Sequence, residues 1–300
     1  DANLMNSKEK RKLRLTRRDF LKLIGRIGAF GLATGLGGWT YATKIEPSQL
    51  DLVKLPLFLP RLAPVFDGLR VAIISDIHLG GWMTRERLIP VIDMILEQSP
   101  DIILITGDFM YGHGWSDETQ IHADDLAAEL LRLSEKITTL AVMGNHDYWT
   151  SAPDVRRALK KANVIELSNT FYSMTRGTEQ LHFCSVDDIW EEQDDLDSLL
   201  MQLPAEEAAI LMAHEPDFAD ISAATRRFDL QISGHTHGGQ VVFPDQPPPV
   251  LPYLGQKYPS GLYEVEKMWQ YTNRGVGMGR ISVRFNCPPE ITILTLKTTL

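Results

Sequence analysis

Short apolar runs of strand length recur along this chain between stretches of helical periodicity, and that alternation limits the folds it can reach more than any other feature. Val71–Ile74 and Ile102–Ile105 bracket a helical stretch at Leu88–Gln98; a second near Ala123–Ser134 leads to Leu140–Met143, and a third at Asp154–Lys161 leads to Val164–Leu167. Continuously apolar strands must be covered on both faces, and helices crossing over between parallel strands achieve that. Further strands are expected at Leu181–Ser185, Ala209–Met212, Leu230–Ile232, Val241–Phe243, Gly261–Val265, Trp269–Thr272 and Ile291–Leu296. The last of these lack intervening helices, so the sheet should become mixed or antiparallel. With 300 residues, 44% of them hydrophobic, the chain suffices for one large core.

In α/β sheets a ligand sits beyond the carboxyl ends of the strands. Here those ends deliver one small set of side chains: Asp76 and His78 after the first strand, Gly107-Asp108 after the second, Gly144-Asn145-His146-Asp147 after Leu140–Met143, His214 after Ala209–Met212, and His235-Thr236-His237 after Leu230–Ile232. Each has an ordinary explanation alone. Asp76 or Asp108 would cap a following helix, Asn145 is a common turn residue, and a lone His214 reads as a buried, hydrogen-bonded imidazole. Five such groups on one sheet edge point instead to metal ligation. The donors are imidazole, carboxylate and amide oxygen without thiolate, a set that suits Mn, Fe or Zn better than Mg or Cu(I); Mn²⁺ is the first expectation.

Charge and the N-terminus address location. Residues 1–22 hold eight Lys/Arg against three acids, a balance of +5 that leaves −14 on the remainder. An acidic body is a poor partner for nucleic acid. Thr16-Arg17-Arg18-Asp19-Phe20-Leu21-Lys22, followed by the Gly-rich apolar segment Leu23–Tyr41, looks like a twin-arginine export signal, whose alternative is a cytosolic amphipathic arm. Thr40-Tyr41-Ala42 is a weak small-x-small cleavage site, so both removal and retention as a membrane anchor stay open. The expected division is 1–42 signal or anchor, 43–66 a Pro-rich linker, and 67–300 the domain. Cys184 and Cys287 form no Cys-x-x-Cys pattern and are read as unpaired thiols.

Asp-x-His, Gly-Asp, Gly-Asn-His-Asp, a lone His and Gly-His-x-His, in this order over residues 67–300, resemble the calcineurin-like metallophosphoesterases. Gly238-Gly239-Gln240, with Arg274-Gly275-Val276-Gly277 through Asn286-Cys287-Pro288-Pro289-Glu290, is most similar to the family's twin-arginine-exported phosphodiesterase branch. The resemblance implies a four-layer α/β/β/α sandwich of two mixed sheets and a centre of two divalent metal ions. Asp76, His78, Asp108 and His237 would hold one, and Asp108, Asn145, His214 and His235 the other. It also implies a metal-bridging hydroxide that attacks a phosphodiester or pyrophosphate, with His146 as general acid and Asp147 as its hydrogen-bonding partner. Alternatives are a phosphomonoesterase or protein phosphatase, a UDP-diacylglucosamine-type pyrophosphatase, or a non-catalytic metal-binding scaffold.

Three stretches compete to wall the substrate. Asp187–Asp195 is an acidic run read first as a solvated loop and second as a cleft wall through Trp190; Gly80-Gly81-Trp82 and the Pro-rich Pro244–Tyr258 are the others. An apolar wall beside a membrane would suit a lipid-linked phosphoester. The export machinery, the inner membrane and such a substrate are therefore the expected partners.

Overall fold

The computed structural model describes residues 35–299. The basic run, Arg17-Arg18 and the apolar segment up to residue 34 lie outside the described residues. In chain order β1 (Asp51–Leu59), β2 (Arg70–Ile74), β3 (Ile102–Thr106), β4 (Thr139–Val142) and β5 (Ile165–Glu166) belong to one sheet, with α1 (Arg85–Gln98), α2 (Asp117–Ser134) and α3 (Asn145–Lys161) between them. β6 (Thr170–Arg176), β7 (Glu179–Ser185), β8 (Ala209–Met212), β9 (Leu230–Ser233), β10 (Gly261–Val265) and β11 (Met268–Thr272) form a second sheet, covered by α4 (Leu196–Gln202) and α5 (Ala219–Ala224). β12 (Glu290–Thr298) returns to the first sheet, between β1 and β2.

Alternation along the strands sorts the apolar side chains into layers. Ala72 and Ile74 of β2, with Ile103 and Ile105 of β3, pack under Leu88, Leu126 and Val155 of the three helices. Their neighbours Val71, Ile73 and Leu104 face the other way and meet Phe183, Ile210 and Ile232 of the second sheet. Cys184 and Leu211, on the far face of that sheet, pack with Leu199, Ala219 and Ala223 of α4 and α5. The result is the expected four-layer α/β/β/α sandwich. Both sheets are mixed: β2 to β5 run parallel while β12 pairs antiparallel with β2, and β7, β8, β9 and β11 run parallel between the antiparallel edges β6 and β10.

Several elements differ from the sequence reading. The linker assigned to 43–66 contains β1, which pairs in parallel with β12 along its whole length and buries Leu57 and Leu59 between the sheets. Pro56 is tolerated because β1 is an edge strand. Val241–Phe243 is no strand; a single bridge from Val241 to Phe285 is all it makes. β6, α4 and α5 have no counterpart among the expected elements. α2 starts before Ala123 because Ser116 caps it, its Oγ accepting from the Thr119 amide at 3.2 Å. No helix among the described residues is long and apolar enough to cross a membrane.

Candidate metal centre

Every sequence-selected residue lies where a strand gives way to a loop or helix on one edge of the sandwich. Asp76 and His78 follow β2, Asp108 follows β3, and Asn145 and His146 open α3 after β4. His214 follows β8, while His235 and His237 follow β9, so the two sheets face each other across the site. Reaching it demands unusual backbone: Asp76, His78, Asp108, His235 and His237 all adopt left-handed φ, between 49° and 71°. Such residues cost of order 1 kcal/mol each and persist where surrounding structure holds them. Close approach is enforced as well. A Cβ on Gly144 would collide with Asp108, and one on Gly234 with Ser75 and Asp76.

Asp76, His78 and His237 form one group of convergent ligand atoms; Asp108, His214 and His235 form another; and Asp108, His78 and His146 overlap both. Asp108 is the hinge between them, since its Oδ2 lies 3.4 Å from His78 Nε2 and 3.3 Å from His214 Nε2. His78 Nε2 and His237 Nε2 are 3.0 Å apart, and His237 Nε2 is 3.5 Å from Asp76 Oδ1. Two buried imidazole nitrogens this close need a shared proton or a shared cation, and ligands about 2.1 Å from one ion fit that spacing. Two histidines are oriented by carbonyls: His214 Nδ1 donates to Thr106 O at 2.7 Å, and His235 Nε2 donates to Tyr253 O at 2.8 Å. That leaves His214 Nε2 and His235 Nδ1 for a ligand. His214 Nε2 and Asn145 Oδ1 are buried without hydrogen-bond partners among the described residues. Orphaned atoms of this kind fit a group of divalent cations.

Electrostatics agree. Burial raises Asp76 to about 7 although His214 pulls it down, and burial lowers His78 to about 3 against the attraction of Asp108. Burial also opposes the charge on Asp108 and His214, but each holds the other ionised, so Asp108 lies well below the usual carboxylate range and His214 well above the usual imidazole range. Protons and a single ion pair thus carry the charge that a cation would carry.

One assignment needs correction. Asp147 does not hydrogen-bond the His146 ring: its Oδ2 accepts from the amides of Asp108 and Gly144, both at 3.0 Å, and its Oδ1 from Phe109 at 2.8 Å and Met110 at 3.1 Å. With both oxygens committed, it shapes the loop that carries Asp108. His146 Nδ1 has no partner among the described residues, and burial lowers its pKa in spite of Asp108. Its ring lies 4.7 Å from those of both His78 and Trp149, while its amide donates to Asp108 Oδ1 at 2.9 Å.

A cleft of about 590 Å³ opens over Asp108, Asn145, His146, His235 and His237. Its walls are Trp149, Trp190, Val241, Pro249–Pro252 and Gly279–Ile281. The Pro-rich stretch is thus a wall as expected. Trp82 is not; it packs on the helical core beneath Arg87. The acidic run is no simple solvated loop, because Asp187 and Asp188 are buried and Trp190 stacks edge-on to His235 and Tyr253, each at 5.5 Å. Glu215, missed in the sequence, holds that loop: its carboxylate accepts from the Ile189 and Trp190 amides at 3.3 and 3.2 Å. Its position directly after His214 was the available signal. Trp149, Arg280 and Ile281 were also missed. Cys184 and Cys287 are free and buried.

The sequence model of calcineurin-like phosphoesterases matches residues 69–239. A Bacillus subtilis (strain 168) protein described as an uncharacterized metallophosphoesterase, YkuE, is 33% identical over 290 residues, covering 95% of this chain and 99% of that protein. Phosphodiesterase YaeI of Escherichia coli (strain K12) is 28% identical over 290 residues, covering 94% and 99%. Among solved structures, TT1561 of Thermus thermophilus aligns with a TM-score of 0.47 at 12% identity, over 69% of this chain and 89% of that one.

Proposed function

The chain belongs to the calcineurin-like phosphoesterase family, and from that premise we propose that it hydrolyses phosphodiesters with two divalent cations. Asp76, His78, Asp108 and His237 would hold one cation, and Asp108, Asn145, His214 and His235 the other. The observation that carries this reading is Asp108 Oδ2, set almost equally far from histidines of the two sheets. When bound, such cations supply an activated water and neutralise the phosphoryl oxygens. Mn²⁺ is favoured by the nitrogen and oxygen donors, with Fe or Zn as the alternatives.

The chain's own residues do the rest. His146, which lines the cleft, would protonate the leaving oxygen; burial disfavours its imidazolium and the Asp108 carboxylate favours it. Trp149, Trp190 and the Pro249–Pro252 segment wall the cleft against water. A diester carries a second alcohol-derived group that needs such walls. Arg280 is the one Lys or Arg among the described lining residues, an arrangement better suited to a singly charged diester than to a monoester dianion. The name of the Escherichia coli relative supports the same choice. Arg17-Arg18 and the apolar segment behind it support export by the twin-arginine route to the periplasm or the outer face of the cytoplasmic membrane, where the apolar walls would take a lipid-linked phosphodiester or pyrophosphate.

Metal analysis paired with hydrolysis of an aryl phosphodiester and the matching monoester, in Mn²⁺, Fe²⁺ or Zn²⁺, tests the reading. Two ions per chain and faster diester cleavage are expected. Activity in a metal-free chain, or a clear monoester preference, overturns it.

A further inference from the structure

At the lip of the cleft, Val250 and Ile281 of its wall are exposed; the flanking Phe243 and the N-terminal helical piece, which is tied to the cleft loop through Ala42 and Glu46, add further exposed apolar side chains. Phe243 is 47% exposed, Val250 68% and Ile281 60%, while Leu36 is 59% and Trp39 64% exposed on the helical piece leading to Tyr41. Isolated exposed apolar residues are ordinary, but a connected set at a cleft mouth marks an interaction surface. Here hydrogen bonds make the connection. Gln240 Nε2 donates to the carbonyls of Ile281 and Val283, the rings of Phe243 and Phe285 lie 6.1 Å apart, and the Arg284 amide donates to Ala42 O at 2.9 Å. Glu46 adds a second tie by accepting from the Cys287 amide. The loop 279–287 therefore has the cleft wall on one side and the N-terminal segment on the other.

We propose that this lip docks on a phospholipid bilayer, with the cleft opening into the headgroup layer. The inference rests on the phosphodiesterase reading for its purpose, and on the lip alone for its geometry. Two observations select a bilayer as the occupant. The chain that enters the lip at Ala42 is preceded in sequence by the apolar segment Leu23–Gly35 and, before that, by eight Lys/Arg within residues 1–22. An apolar stretch flanked by cations is a membrane-seeking pattern. Two cations on the lip, Lys44 and Arg280, are exposed without an acidic partner among the described residues, against one exposed acid, Asp245, beside Phe243. Residues 23–300 carry a net −14, so the body as a whole is not drawn to an anionic surface by charge. Docked this way, the enzyme would reach a phosphoester at the headgroup level while the apolar tail of the substrate stays in the bilayer.

The full chain offers a direct test, because Cys184 and Cys287 are buried and an introduced thiol can be labelled alone. An environment-sensitive fluorophore is placed at Phe243→Cys, at Val250→Cys and, as a control, at Met201→Cys, an exposed position on α4. Vesicles of phosphatidylethanolamine and phosphatidylglycerol with brominated acyl chains are then added. At least twofold quenching at positions 243 and 250, with none at 201, is expected. Quenching that is equal at all three sites, or absent at 243 while the chain floats with the vesicles, overturns the proposal. So does a spectral shift at 243 that grows with protein concentration without lipid, which would make a second copy the occupant. Soluble aryl diester hydrolysis by the unlabelled parent chain is measured in parallel, because Val250 stands in the cleft wall. Loss of lip quenching with hydrolysis intact sinks the docking alone, whereas lip quenching without any hydrolysis supports the docking and sinks the catalytic reading.

Discussion

Asp147 shapes the loop that carries Asp108 while its own carboxylate is turned away from the cleft chemistry. Four buried amides share its two oxygens, so Asp147→Asn replaces one acceptor oxygen by a donor and leaves two amides facing it. An unsatisfied buried donor costs about 1–3 kcal/mol. We expect a lower melting temperature in the metal-free chain together with reduced metal content, read by calorimetry and elemental analysis. His146→Ala should separate cleanly from this: metal content and melting stay as in the parent, and turnover falls by about 10²–10⁴, the usual share of a general acid. Asp108→Asn, by contrast, should lose both metal and hydrolysis, and a metal-free but active variant would refute the scheme. Asp188 gives a pH test. Burial, with Glu215 beside it, pushes its carboxyl up to about 9, so the folded chain holds a proton that the unfolded chain releases near 4. The associated stability is complete below about pH 4 and is lost as pH rises toward 9. Asp188→Asn keeps an acceptor for the Glu191 amide without needing that proton. The metal-free variant should melt about 2–4 °C higher at pH 8, roughly 1 kcal/mol, with little difference at pH 4.

At the level of elements, β1 is where a sequence boundary and a structural one part company. Starting the chain at residue 67 would follow the expected domain limits, yet it would remove Leu57 and Leu59 from the inter-sheet core and leave β12 unpaired on its β1 side. Each buried leucine contributes about 1.5–3 kcal/mol, and β12 would become an open apolar edge. That truncation should yield aggregated protein, scored by soluble yield and circular dichroism; a soluble, cooperatively melting product would show β1 to be dispensable. The strands most directly legible, β2, β3, β4 and β8, are apolar runs because both their faces are covered. β1 was not legible because Pro56 and Lys54 break its pattern, as an edge strand permits, and β6 was not because it is only partly buried. The ligand set was legible for the same reason as the inner strands, since each ligand directly follows one. What no strand-end rule could supply came from tertiary burial: the left-handed backbone at five ligand positions, the grip of Glu215 on the Trp190 loop, and the arrival of Arg280 and Ile281 from a segment far along the chain.

For the whole molecule, the decisive fact is that the two halves of the candidate centre come from different sheets. Asp76, His78, Asp108 and Asn145 stand on the first, and His214, His235 and His237 on the second. Cations held by both groups would tie the sheets together at the edge that carries five left-handed ligand positions and buried charge. Binding to the folded state alone stabilises by about 2.7 kcal/mol at a hundredfold excess over Kd. For a chain of this size that corresponds to about 5–10 °C. Chelation should therefore lower the melting temperature by that amount and readdition of Mn²⁺ should restore it, whereas Asp108→Asn, lacking the shared ligand, should melt at one temperature with or without metal. Calorimetry of both proteins across a metal titration decides the matter. If chelation abolishes hydrolysis but leaves melting unchanged, the cations serve the chemistry without joining the sheets, and the strain at the site is held by hydrogen bonds such as those of Asp147 alone.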